Sequence, residues 1–390
     1  MKSTAQSGRG VAIVGVGNTS YGEDYRLRDQ TRTARELATT ALRRALEDGG
    51  LAASDVDGVV ISQAPGGVQP DAAFFAHLGI SPAWVQPPQS QDAIKAASDA
   101  LEEGRCSTVA VLYASEQRSA RIQYGGASTG SKMYASYYYY HPWGFSSQGA
   151  HWALLFKRHQ MLYGSTEEQL GAIAITLRKH ALANDDAVMR KPLTIEDYLA
   201  ARYVCRPLRL LDYCIVNDGG VALILRRADR ASGLRQKPVR IAGSASVHAC
   251  RDVGQLRSLV LDLHQEPIAA CAAACFANAG LSRVDVKHLQ VYDAFSINIP
   301  IALEALGFCV RGEGLAFVQD GRIGIEGELP CNTSGGMLSE AYMHGWNHMV
   351  EAVRQLRGQA GARQVRNAAV SMYVFFSSEA VRSILFQRAE

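Results

Sequence analysis

The sequence predicts an α/β fold made of two related halves, and three observations lead there. Short apolar runs ending in small residues alternate with segments whose apolar residues recur at helical spacing, the pattern of mainly parallel sheets with helices on their faces. One such unit recurs, since ALRRALEDGGLAASDVDGVVIS matches AACFANAGLSRVDVKHLQVYD at a constant offset of 230, aligning Gly50 with Gly280 and Asp55 with Asp285. A second echo places the helix Asp92 to Gly104 and strand CSTVAVLYASE beside the helix Met349 to Arg357 and strand AAVSMYVFFSSE. The halves divide the chain into residues 1–235 and 236–390, the first carrying an insertion over about residues 117–208.

In chain order, Val11 to Val16 is an apolar run closed by Gly17, a first buried strand by its length. VGVGN holds only part of a GxGxxG loop and the next helix begins far downstream, which argues against dinucleotide binding. From Thr31 to Leu51 apolar residues fall at i, i+3, i+4 and i+7, with glycines that can end the helix, and the strand DGVVIS follows. In the insertion, Tyr134 and Tyr137 to Tyr140 cluster ahead of His141, Pro142, Trp143 and Phe145, a group that reads as subunit interface or core. HWALLFKRHQMLYG, EEQLGAIAITLRKHALAND and KPLTIEDYLAARYV then read as helical, and Cys214 to Leu225 as a strand closing the first half.

Composition narrows the function. With 40 Lys+Arg against 37 Asp+Glu, and neither a basic stripe nor a charged tail, nucleic-acid and membrane-surface partners are not expected. The eight cysteines form no CxxC pair, so this chain is expected to hold no structural zinc and to keep its thiols reduced in a cytoplasm. The first residues, MKSTAQSGRGVAIVGVG, lack a signal-like apolar region, and no apolar run approaches the roughly 18 residues of a membrane span.

The chemistry concentrates between Gln290 and Gly345. An apolar run ends at Val291, and Tyr292 and Asp293 follow where the strand gives way to the helical pattern SINIPIALEALG. In an open α/β sheet such strand ends border the ligand site. Further on, CNTSGGMLSEAYMHG carries a turn at Gly335 and Gly336 that lets a substrate approach the backbone, and then Tyr342 and His344. Asp293 reads equally as a cap for the following helix and as a catalytic carboxylate.

YDAFS, EALGFCVRGEG and NTSGGMLSEAYMHGWNH resemble the HDCFS, EALGLCPEGQG and NPSGGLISKGHPLGATG of the thiolase superfamily, in particular its sterol-carrier-protein and lipid-transfer-protein-like branch. The resemblance runs over nearly all 390 residues. It implies a five-layered αβαβα fold from two duplicated halves, an inserted loop domain that covers the active site and contacts acyl-CoA, and a homodimer. On that reading Tyr140, Asn332, Gly335 and Gly336 are candidate substrate contacts, and Arg202, Arg206 and Arg209 could meet CoA phosphates or form surface ion pairs.

The departures from the family matter most. Both thiolase histidines fall on tyrosine, Tyr292 and Tyr342. The family nucleophile opens CSTGSTALFMARQLIQGG, whereas this chain reads PPQSQDAIKAASDALEEG there, with Pro87 at the nucleophile position and Ser90 nearby. SMYVFFSSEA replaces the glycine-rich loop of the family's second cysteine. Cleaving a 3-oxoacyl thioester hands an acyl group to a nucleophile, but cleaving a 3-hydroxyacyl thioester releases a ketone directly. Both pass through an enolate that hydrogen-bond donors stabilise. The expected activity is therefore a retro-aldol carbon–carbon lyase that splits a 3-hydroxyacyl-CoA, for which the resemblance implies a steroid side-chain type, into a ketone and a short acyl-CoA such as propionyl-CoA. The paired tyrosines look like those of the steroid side-chain-cleaving aldolases. Tyr292, Tyr342, His344 and Asp293 are its candidate catalytic residues. No cofactor is expected beyond the CoA thioester as substrate, and relatives imply a separate acyl-CoA-binding protein with an OB-fold and a zinc ribbon. The alternatives are a non-catalytic acyl-CoA or lipid-binding subunit, and a thiolase using Ser90 or Cys331 as nucleophile.

Overall fold

The structure is a computed structural model that describes residues 10–27, 32–62, 64, 66–89, 92–122, 124, 141–143, 145, 147–248, 264–377 and 380–389. Ser90 and the tyrosines 134 and 137–140, Tyr140 among them, lie outside the described residues.

The first half runs β1 (Val11–Asn18), α1 (Tyr21–Leu27), α2 (Ala34–Gly49), β2 (Gly58–Ser62), α3 (Ala72–Leu78), β3 (Trp84–Gln89), α4 (Ala93–Glu102) and β4 (Thr108–Ser115). The insertion contributes α5 (Gln148–Tyr163), α6 (Glu167–Leu182), α7 (Ile195–Ala200) and the small hairpin β5 (Tyr203–Cys205) with β6 (Leu208–Arg209). β7 (Gly219–Arg227) closes this half. The second half runs β8 (Val239–His248), α8 (Gln265–Ala279), β9 (His288–Val291), α9 (Asn298–Ala305), α10 (Gly314–Phe317), α11 (Gly336–Ser339), α12 (Trp346–Arg357), β10 (Val370–Phe376) and β11 (Ala380–Arg388).

The duplication seen in the sequence is physical. Both α2 and α8 end in a left-handed glycine, Gly50 at φ 67° and Gly280 at φ 64°, and both lead through a short turn, Ala53–Asp55 or Arg283–Asp285, into the next strand. The aspartate of each turn accepts the backbone N–H three residues earlier, at Ala52 or Ser282. In the first half β3, β2 and β4 are parallel, and β7 runs antiparallel to β4 and β1. In the second β9 and β10 are parallel, and β11 runs antiparallel to β10 and β8. A parallel bridge between Leu289 and Cys331 takes the place that β3 holds in the first half.

The half-sheets meet along one short antiparallel seam, Ala12 opposite Arg240 and Ile13 opposite Val239, giving the order β3-β2-β4-β7-β1-β8-β11-β10-β9. α2 covers one face of the first half-sheet and α8 covers β8 and β11, while α12 packs against strands of both halves. This is the helix–sheet–helix–sheet–helix layering of the thiolase fold. α12 occupies the middle layer because apolar residues surround it: Trp346, Met349, Val350, Ala352, Val353 and Leu356 are all buried. The parallel strands β4 and β9 aim their C-terminal ends into this layer, so the residues just past them become the floor of a site.

Candidate active site

The two tyrosines placed on separate loops by the sequence converge. Tyr292 follows β9 directly, and its N–H donates to the Val374 carbonyl of β10 at 2.9 Å, extending the ladder by one residue. Tyr342 rides on the loop between α11 and α12. Its N–H donates to Asn217 Oδ1 at 2.7 Å, and its carbonyl accepts from Gln117 Nε2 at 3.4 Å, so both ends of that peptide are tied to the first half. The hydroxyls of Tyr292 and Tyr342 stand 3.2 Å apart. Burial pushes both phenols well above the usual tyrosine range. Either hydroxyl can donate to the other across this contact.

His344 sits in the middle of the group. Its ring centroid lies 5.9 Å from that of Tyr292, 6.2 Å from Tyr342, 6.0 Å from Tyr113 and 6.1 Å from Phe375. Burial, with Arg382 a lesser contributor, lowers its pKa to about 4, so the imidazole is neutral at physiological pH. Its backbone has φ 52°, unusual for a residue with a side chain, and Gly345 follows at φ 87°. A Cβ on Gly345 would collide with the Tyr373 hydroxyl, so glycine is required there. Tyr113 at the end of β4 and Cys214 before β7 complete the cluster, with the Cys214 thiol pushed up to about 12 by burial and by Asp293.

The Thiolase C-terminal domain-like family model matches residues 252–377. A steroid side-chain-cleaving aldolase of Thermomonospora curvata is 33% identical over 89% of this chain and 90% of its own length. A 17-hydroxy-3-oxo-4-pregnene-20-carboxyl-CoA lyase of Mycobacterium tuberculosis is 34% identical over 89% of this chain and 91% of its own. The solved Ltp2-ChsH2(DUF35) aldolase superposes with a TM-score of 0.85 at 29% identity, covering 98% of both chains. The chain belongs to the steroid side-chain-cleaving aldolases of the thiolase superfamily. It is a carbon–carbon lyase.

In this aldolase the other residues singled out by sequence support the pair from behind. Asp293 is fully buried, and its carboxylate accepts from His348 Nε2 at 2.9 Å and from the Met337 N–H at 2.9 and 3.0 Å. It therefore caps α11 rather than the helix that follows it in sequence. Asn332 is fully buried, and its amide pairs with both backbone groups of Val291, accepting at 2.8 Å and donating at 2.9 Å. That pairing fixes the end of β9. Gly335 and Gly336 have φ of 108° and 60°, but what closes on them is the protein itself. A Cβ on Gly335 would stand 2.7 Å from Ala181 Cβ, and one on Gly336 would stand 2.3 Å from Asp293 Oδ2. The close approach that the glycines permit within the protein is to α6 and to a carboxylate.

Glu340, unremarked in the sequence, anchors the Tyr342 loop. Its carboxylate accepts from Ser334 Oγ at 2.6 Å, Asn347 Nδ2 at 2.8 Å and Asn184 Nδ2 at 3.1 Å, and burial raises its pKa to about 7. His348 was legible only as a helix residue, yet it links Asp293 to Gln290 Oε1 at 2.6 Å. Of the arginines, Arg209 is committed to Glu167 at 2.8 Å. Neither Cys331 nor Cys309 is an activated nucleophile, since burial raises Cys331 well above its usual range and Cys309 to about 12. Among the described residues no group of three or more His, Cys, Asp or Glu is placed to hold a metal ion, and no helix is long and apolar enough to cross a membrane.

Proposed function

We propose that this aldolase cleaves a 3-hydroxyacyl-CoA whose hydroxyl-bearing carbon belongs to a bulky, steroid-like ring system, releasing a ketone and a short acyl-CoA such as propionyl-CoA. The observation that carries the reading is the hydroxyl pair Tyr292–Tyr342, 3.2 Å apart, standing where a thiolase has its histidines. The named substrate of the Mycobacterium tuberculosis relative, a hydroxylated steroid CoA thioester, supports the substrate class.

One hydroxyl of the pair takes the proton of the substrate alcohol while its own proton moves to the other, whose proton becomes available to C2, so each phenol keeps one proton and the pair stays neutral. The alkoxide electrons form the ketone C=O, the C2–C3 bond breaks, and its electron pair moves into the thioester as an enolate. The proton held by the pair then returns to C2 to give the shorter acyl-CoA. Atoms and charge balance without an external nucleophile, oxidant or reductant, so the thioester is substrate and nothing further is consumed. His344, neutral and ringed by the reacting side chains, packs against the substrate and orients the hydroxyls. Asp293 acts through α11 and His348 as a positioning group.

The Ltp2-ChsH2(DUF35) structure contains a second protein, which supports a separate acyl-CoA-binding partner with an OB-fold and zinc ribbon for this chain. A homodimer through the first half-sheet, whose edge strand β3 has no outer neighbour among the described residues, fits the same reading. The test is a product assay with 3-hydroxyacyl-CoA and 3-oxoacyl-CoA, with and without such a partner. Ketone and acyl-CoA from the hydroxy substrate alone support the proposal. CoA-dependent thiolysis of the oxo substrate, or CoA binding without turnover under all conditions, overturns it.

A further inference from the structure

The retro-aldol reading leaves one atom without a holder. When the C2–C3 bond breaks, negative charge develops on the thioester carbonyl oxygen, which requires a hydrogen-bond donor already in place. Tyr292 and Tyr342 are engaged with each other and with the alcohol proton. The donors anticipated from the sequence are committed elsewhere: the Asn332 amide to Val291, the Gly335 N–H to the Asn332 carbonyl at 2.9 Å, and the Met337 N–H to Asp293. The Cys214 thiol is a weak donor by chemistry.

Tyr113 has what the others lack. It is 1% exposed, and its buried hydroxyl reaches no partner at hydrogen-bond geometry, although the Ser115 side chain lies beside it. It stands two residues from the end of the parallel strand β4, where this fold places ligands, and its ring is in contact range of His344 at 6.0 Å. His344 in turn lies 6.2 Å from Tyr342 and 5.9 Å from Tyr292, ring to ring, so Tyr113 borders the pair. A buried, unpaired hydroxyl is costly in a folded protein and calls for a purpose.

We propose that Tyr113 is the third hydroxyl of the reaction centre, donating its hydrogen bond to the thioester carbonyl oxygen as that oxygen becomes an enolate. This assignment rests on the retro-aldol reading and adds to it the group that holds the enolate. Tyr292 and Tyr342 manage the alcohol proton, and Tyr113 stabilises the charge that bond cleavage creates. The site then has separate hydroxyls for the two oxygens of the reaction.

The test pairs kinetics with a spectroscopic reading of the bond itself. Propionyl-CoA carrying ¹³C at the thioester carbonyl is bound to the parent chain, to Tyr113→Phe and to Tyr292→Phe, and its carbonyl stretch is followed by isotope-edited infrared spectroscopy. The expected result is a shift to lower frequency in the parent and in Tyr292→Phe, lost in Tyr113→Phe. Cleavage by Tyr113→Phe should fall about a hundredfold in kcat, the usual effect of removing one oxyanion donor, with KM little changed. An unchanged thermal melt is expected, because phenylalanine keeps the packing and removes only an unpaired group. Equal carbonyl shifts in parent and Tyr113→Phe, or cleavage within threefold of the parent, would overturn the assignment. A parent chain that shifts the carbonyl through Tyr113 but cleaves no 3-hydroxyacyl-CoA would instead overturn the retro-aldol reading and leave Tyr113 as a thioester-binding residue.

Discussion

Removing either hydroxyl of the Tyr292–Tyr342 pair separates catalysis from folding. In Tyr292→Phe the ring keeps its edge contact with Phe375 at 4.6 Å and with His344 at 5.9 Å, so only the oxygen is lost. The loss leaves the hydroxyl of the half-buried Tyr342 without its partner 3.2 Å away. An unsatisfied buried group costs about 1–3 kcal/mol, whereas removing both partners at once can be close to neutral. Each single variant should therefore be slightly less stable than the parent, and the double variant no worse than either single one. In rate, a general acid or base contributes about 10²–10⁴-fold, so each single variant should lose at least about a hundredfold in single-turnover cleavage. Because the two act as a unit, the double variant should be little slower than the singles. Urea melts give the stability arm and rapid-quench single turnovers give the rate arm. Single-variant rates within threefold of the parent, or a double variant slower by the full product of the two losses, would refute the idea that the hydroxyls work as one pair.

Three further outcomes follow from the buried groups. Burial lowers His151, His180, His288 and His344 to about 4 from 6.5, so their unfolded forms bind protons first; stability is full above pH 6.5 and should decline as pH falls toward 4, visible as a falling thermal midpoint. A flat midpoint across that window would contradict the neutral-histidine interior. Cys331→Ser and Cys309→Ser should leave cleavage largely intact because no thiol takes part, and mass-spectrometric detection of an acylated cysteine after a substrate pulse would reverse that conclusion. Asp293→Leu should destabilise by about 3–5 kcal/mol, since it orphans His348 and uncaps α11 at once; a loss under about 1 kcal/mol would show that the α11 turn holds without its cap.

Most of the architecture was legible because the duplication repeats its punctuation. Gly50 and Gly280 must adopt left-handed conformations to end equivalent helices, and Asp55 and Asp285 cap equivalent turns, so local chemistry alone aligns the two halves. The end of β9 was equally visible, since Val291 closes an apolar run and Tyr292 follows it. Other features were not readable. Asp293 looks like a cap for the next helix, but the helix that needs it, α11, lies more than forty residues on and is brought close only by the Val291–Asn332 pairing. Tyr113 sits inside an unbroken apolar strand where a tyrosine reads as core, and only the missing partner of its hydroxyl sets it apart. Gly335 and Gly336 mark a close approach correctly, yet a sequence cannot say whether a ligand or Asp293 comes near.

The exchange of histidine for tyrosine makes physical sense once the charges around the site are placed. Asp293 is hydrogen-bonded by His348 and backbone N–H groups, and Arg382 is paired with Asp92, so each already has a partner. His344 is neutral through burial. A site whose described charged groups are paired suits a reaction whose substrate and products are uncharged at the reacting carbons, with charge appearing only between them. A histidine base in such surroundings would itself be held neutral with a depressed pKa, as His344 is, and would be a weak acceptor for an alcohol proton. A phenol is neutral at rest, and its conjugate base is strong enough to match an alcohol when it forms. Burial, which weakens a histidine base, strengthens the phenolate as one. The same desolvation that raises Tyr292 and Tyr342 therefore favours the tyrosine pair over the histidines that this scaffold carries elsewhere.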